Sequence, residues 1–153
     1  MATTAITVLI ADPKPAVRAT CLRILQSEKG ARVVGEARNR LETITATIKL
    51  KPRILLLDFR LSSGGGASLL PIICKKSPKT RVILFTGFPT PEARVLKALS
   101  FGARGYLDRK ALGKFLAKAV RVIDLGEVWV PRKMVAKILD LLTTLTLKSP
   151  KAA

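Results

Sequence analysis

Two kinds of hydrophobic pattern take turns along this chain. Short runs dominated by aliphatic and β-branched residues occur at 6–10, 32–37, 54–57, 81–85 and 105–107, the signature of strands. Between them, apolar residues recur at helical spacing over 15–26, 41–50, 67–76, 91–101 and 112–125. The run Ile54-Leu55-Leu56-Leu57 is continuous rather than alternating, which predicts a strand buried on both faces. The last of the five helices has the cleanest stripe: Leu112, Phe115, Leu116, Ala119, Val120 and Ile123. Punctuation agrees with these segments. Gly30 is expected to end the first helix, Pro52 the second, Gly102 the fourth and Gly126 the fifth. Asn39 reads as an N-cap with Glu42 as its capping-box partner, and Pro71 is tolerable near a first helical turn.

Strands alternating with helices over about 125 residues spell a doubly wound parallel sheet with right-handed crossovers. The flavodoxin-like strand order 2-1-3-4-5 is the expected arrangement, with the second strand at an edge. In such sheets, ligands gather at the carboxyl ends of the strands. Asp12 follows the first strand, Asp58 the third, Thr86 the fourth and Arg109 the fifth. A single aspartate would read as a turn residue; four polar groups converging on neighbouring strand ends read as a site. The loop Ser62-Ser63-Gly64-Gly65-Gly66 lacks both G-x-G-x-x-G and the Lys-Ser/Thr ending of a P-loop. It is expected to be a flexible crossover.

Composition narrows the function. A chain of 153 residues with 48% hydrophobic residues fits one domain with a real core. There is no histidine, which excludes metal–histidine sites and Ser-His or Cys-His catalysis. Cys21 and Cys74 have no metal-ligand spacing and are expected to be buried small hydrophobes. No apolar run approaches the roughly 20 residues of a membrane span, and no signal peptide opens the chain. A cytoplasmic protein with no membrane partner is the expectation. The 28 basic and 10 acidic residues leave a net charge of +18, a pointer toward anionic partners. The basic residues are scattered, and aromatics make up only 5% of the chain, few for stacking on bases.

The segments Ile10-Ala11-Asp12, Leu55-Leu56-Leu57-Asp58, Phe85-Thr86-Gly87 and Gly102-Ala103-Arg104-Gly105-Tyr106-Leu107 resemble a CheY-like receiver domain. Residues 33–37 (Val-Val-Gly-Glu-Ala) and 126–131 (Gly-Glu-Val-Trp-Val-Pro) are similar, more narrowly, to response regulators carrying LuxR-type DNA-binding domains. The resemblance implies a phosphorelay switch rather than a turnover enzyme. By position, Asp58 would accept a phosphoryl group from a sensor histidine kinase or phosphotransfer protein. Thr86 would bind a phosphoryl oxygen, Tyr106 would change rotamer with it, and Arg109 would pair with the phosphate. Mg²⁺ would be held by Asp12, Asp58 and the backbone carbonyl of Arg60.

Three positions depart from the family pattern. Pro13 replaces the second acidic residue, Arg109 replaces a lysine, and Ser62 replaces a proline. Arginine keeps the charge but not the geometry, and Lys110 lies one residue out of register. The site is therefore expected to be a partly degenerate Mg²⁺ site, binding the metal weakly or not at all. Residues 4–130 are the expected receiver, 131–147 a linker-like amphipathic helix, and 148–153 a disordered tail. Within 134–142 the stripe Val135, Ile138, Leu139 and Leu142 could fold back on the domain, but Leu141, Leu145 and Leu147 lie off it. A homodimer is expected, through this helix or through the face formed by residues 91–101, 105–107 and 112–125. DNA contact would require an output domain missing from this chain. Two rivals remain: a phosphorylation-independent pseudo-receiver for dimerisation or docking, and a basic nucleic-acid-binding domain.

Overall fold

The computed structural model describes residues 5–63 and 68–147. Five strands, β1 (Ile6–Ala11), β2 (Ala31–Ala37), β3 (Ile54–Asp58), β4 (Arg81–Thr86) and β5 (Gly105–Asp108), form one sheet in the order β2-β1-β3-β4-β5. Every pairing is parallel, so the expected fold class and edge position of β2 are observed.

The side-chain period of two divides the core into two layers. Leu9, Ala11, Leu55, Leu57, Val82 and Leu84 face one side, with Leu70 and Ile73 of α4 (Leu70–Lys76) and Val95 and Ala98 of α5 (Glu92–Ser100). On that side Ile44 and Ala46 of α2 (Arg40–Leu50) also pack. The opposite layer holds Val8, Ile10, Ile54, Leu56, Ile83 and Phe85. Against it lie Cys21 and Leu25 of α1 (Pro15–Gln26) and Leu116, Ala119, Val120 and Ile123 of α6 (Leu112–Asp124). All five residues of β3 are buried, as a strand covered on both faces must be.

The local signals hold with instructive exceptions. Asn39 caps α2 by accepting the Glu42 amide at 2.8 Å. Glu42 does not reach back to Asn39; its carboxylate accepts the Arg38 amide at 2.8 Å and the Arg38 guanidinium. The opposite charge draws it one residue further. The first helix stops at Gln26, before Gly30, with Ser27 Oγ donating to the Ile24 carbonyl. A short helix, α3 (Phe59–Ser63), starts directly after β3 where a loop was expected. Leu69 donates its amide to the Ser62 carbonyl at 2.8 Å, tying the far side of the crossover to α3. The helix predicted from Ala67 begins at Leu70; Gly64–Ala67 and the expected tail at 148–153 lie outside the described residues.

Cys21 is buried, but Cys74 is exposed, correcting the expectation for that residue. Cys74 occupies the outward side of α4, beside Gly102, whose φ of 116° closes the turn after α5. Residues beyond α6 run along β5: the Tyr106 amide donates to the Trp129 carbonyl at 2.8 Å, and the Trp129 amide to the Arg104 carbonyl at 3.0 Å. That contact covers a sheet edge. Met134 then plugs into the core at 2% exposure. The final helix, α7 (Val135–Leu147), has no buried residue.

Candidate functional site

The site lies at the carboxyl ends of β1, β3, β4 and β5. Ladder register fixes the floor: Ala11 is level with Leu57, Asp58 with Phe85 and Thr86 with Asp108. Asp12 therefore emerges beside Asp58, with Thr86 one strand further on. Both carboxylates are buried, Asp12 at 0% and Asp58 at 1% exposure. Buried carboxylates need partners, and here the partners are largely arginines.

Asp12 Oδ1 accepts the Lys14 amide at 2.7 Å across Pro13. Its Oδ2 faces Nη2 of Arg109 at 3.7 Å, an ion pair beyond hydrogen-bonding distance. Asp58 Oδ2 lies 3.3 Å from Nε of Arg60, which sits in the first turn of α3. The Arg60 guanidinium also stacks over Phe88, 4.9 Å from the ring centroid. Desolvation pushes the Asp58 carboxyl above the ordinary aspartate range; Asp12 adds to the rise, while Arg60 and Arg109 oppose it. Gly87 supplies the room for Arg109. A Cβ there would stand 2.6 Å from Nη1 and 2.7 Å from the guanidinium carbon, so the flat head lies against bare backbone.

A receiver-type metal site must offer Mg²⁺ several oxygens in near-octahedral geometry. Here one Asp12 oxygen holds an amide and the other faces Arg109, while Asp58 Oδ2 faces Arg60. Pro13 offers no side-chain oxygen. Among the described residues, no group of three or more His, Cys, Asp or Glu side chains is placed to hold a metal ion. This donor set does not fit Mg²⁺ in the arrangement observed.

The family of response regulator receiver domains matches residues 8–121. The chain belongs to that family. This receiver is 29% identical over 135 residues to the transcriptional regulatory protein LnrK of Bacillus subtilis, covering 88% of this chain and 61% of LnrK. It is 28% identical over 132 residues to the DNA-binding transcriptional activator DevR/DosR of Mycobacterium tuberculosis, covering 86% and 60%. The receiver thus spans about three-fifths of the length of these relatives. Among solved structures, it superposes on a LuxR-family response regulator from Aurantimonas sp. SI85-9A1 with a TM-score of 0.76 at 24% identity, covering 92% and 99%. The receiver domain of the putative regulator NarL from Mycobacterium tuberculosis gives 0.66 at 27% identity, covering 78% and 98%.

The structure brings Asp12, Asp58, Arg60 and Arg109 of the receiver together; Thr86 and Tyr106 stand slightly apart. The Thr86 hydroxyl lies 3.2 Å from both the Phe88 amide and the Phe88 carbonyl. Tyr106 is partly buried and meets Phe59 edge-on, with centroids 6.5 Å apart. Burial raises its phenol above the usual value, and a hydrogen bond with Thr90 works the other way. Thr90 Oγ1 also lies 3.4 Å from Thr86 Oγ1, so one hydroxyl touches both expected switch residues.

Sequence reasoning did not find Thr90, Phe88 or Arg18. Arg18, 8% exposed, donates from Nη1 to the Asp12 carbonyl at 2.6 Å and from Nε to Glu36 at 2.9 Å. It fastens the end of β1 to β2 and so fixes where Asp12 leaves the sheet. One signal was available: Arg18 is a charged residue one position from Val17 on the apolar side of a helix.

Proposed function

We propose that this receiver is a cytoplasmic phosphorelay switch in which Asp58 takes a phosphoryl group from a sensor histidine kinase or a phosphotransfer protein. The observation that carries the reading is Asp58 itself: a carboxylate at the end of the central strand, faced by the Arg60 guanidinium and next to Asp12, which pairs with Arg109. In the transfer, the donor's P–N bond breaks as an Asp58 oxygen bonds to phosphorus, and the leaving imidazole is neutralised by a proton from water. Phosphoryl transfer depends on positioning and charge neutralisation, and Arg60 and Arg109 supply both to the incoming oxygens. Thr86 and Tyr106, linked through Thr90, would report the new charge. Mg²⁺ is a weak ligand of this site at best.

Residues 4–130 form the switching unit in this reading, and 131–147 a connecting helix. Any DNA contact in this reading comes through an output domain; DevR/DosR is by name a DNA-binding transcriptional activator. No helix among the described residues is long and apolar enough to cross a membrane. Intact-mass spectrometry after treatment with a small phosphodonor is the test. An adduct of one phosphoryl group on the wild type, absent from Asp58→Ala, is expected; an adduct on both would remove Asp58 from this role.

A second reading is favoured by a different observation. Val135, Leu139, Leu141, Leu142, Leu145 and Leu147 of α7 are all exposed, an apolar surface of the kind that marks interaction sites. Together with the groove around Tyr106, Phe115 and Trp129, it suits a homodimer, which would serve a phosphorylation-independent docking module equally well. An unchanged oligomeric state on phosphorylation, with Asp58→Ala fully functional, would select this alternative.

A further inference from the structure

We infer that Arg109 is the resident cation of this site, standing in for the divalent metal that receiver chemistry otherwise recruits. Four charged side chains meet at the carboxyl ends of β1, β3 and β5: Asp12 and Asp58 carry two negative charges, Arg60 and Arg109 two positive ones. The cluster is neutral before any ion arrives. Arg109 is seated by the shape of the backbone as well as by charge, because its guanidinium lies flat on Gly87 where any side chain would collide with it. Among the described residues, Asp12 Oδ2 and the Nε and Nη2 of Arg109 are buried without a hydrogen-bond partner. Charge alone holds Asp12 and Arg109 together at 3.7 Å.

A metal ion would need the Asp12 oxygen that Arg109 faces, and it would meet a fixed positive charge on arrival. The unspent Nε and Nη2 donors instead suit an oxyanion, which a guanidinium binds in a fixed planar geometry. Arginine cannot give up its proton at any working pH, so this cation is permanent where a metal would come and go. Pro13 belongs to the same arrangement: it removes an acidic residue that an additional cation would require.

The inference concerns charge balance and stands apart from the phosphoryl reading, which the mass measurement decides by itself. The test is thermal unfolding of the whole chain across a MgCl₂ series, with NaCl at matched ionic strength as the reference. Wild type, Arg109→Ala and Gly87→Ala are compared. The wild-type midpoint should follow the NaCl reference. Both variants should gain a saturable Mg²⁺-dependent rise, half-complete at a concentration at least about tenfold below any wild-type response. Gly87 does not have positive φ, so the alanine fits the backbone and moves only the guanidinium while keeping every charge. Should Arg109→Ala fail to fold, Gly87→Ala carries the test, with Arg109→Gln beside it. A saturable Mg²⁺ response in the wild type equal to that of the variants would overturn the inference, and so would variants that gain none.

Discussion

Nε of Arg60 stands 3.3 Å from Oδ2 of Asp58, two residues back along the chain, and its guanidinium closes over the carboxylate against Phe88. The contact does not fully offset burial, since the Asp58 carboxyl is still raised above its ordinary value of 3.8. Folding therefore makes the Asp58 carboxyl harder to ionise than it is in the unfolded chain. Asp58 favours folding most at pH below its ordinary value, and this contribution is lost as pH rises through the raised one. Asp58→Asn should accordingly melt above wild type at neutral pH, with the difference shrinking as pH falls toward 4. A neutral-pH melting point below that of wild type would count against the assigned direction.

Tyr106 is the sole tyrosine of the chain, so its phenol can be titrated without ambiguity by ultraviolet absorbance. Its midpoint should lie above 10 in the folded protein and return toward 10 in denaturant. The Thr90 hydrogen bond lowers that midpoint, hence Thr90→Val should raise it further. A fall on Thr90→Val would show that the two side chains are not joined as described.

The two thiols should behave differently. Burial, with Asp12 nearby, pushes the Cys21 thiol up to about 12, whereas Cys74 is exposed. Thiolate is the reactive form. At pH 8 an alkylating reagent should label one cysteine per native chain and both in denaturant, with Cys74→Ser abolishing the native reaction.

Asn39→Ala removes the side chain that accepts the Glu42 amide at 2.8 Å. Loss of such a cap costs about 1 kcal/mol. Denaturant unfolding should show that loss without a change in slope. A cost near zero would mean that the Arg38–Glu42 pair maintains the helix start unaided.

The exposed face of α7 predicts self-association. Lys133 and Lys137 pair with Glu92 of α5, but these surface contacts add little and cover none of the leucines. Light scattering at moderate salt should give a dimer mass at about 100 μM, well above the micromolar affinity scale. Leu142→Glu should return the chain to a monomer. A wild-type mass that stays monomeric throughout would exclude the dimer.

Periodicity alone was enough to determine the layers of this protein. Alternating runs and helical stripes assigned five strands, five helices and their order, because each must bury one face or both. The same register placed Asp12, Asp58, Thr86 and Arg109 at adjoining strand ends, since a parallel sheet delivers all its carboxyl ends to one edge. What the residues do on arrival was decided by contacts between distant segments. Nothing in the one-dimensional pattern shows that Arg109 reaches Asp12 across bare Gly87, that Arg18 ties Asp12 to Glu36, or that Thr90 touches both Thr86 and Tyr106. Nor does it show that Cys74 turns outward and α7 leaves its leucines exposed. Helical spacing specifies which residues share a face, not whether a partner surface is present to cover it. Burial, charge pairing and close backbone approach are three-dimensional quantities, and they fix the chemistry of this site.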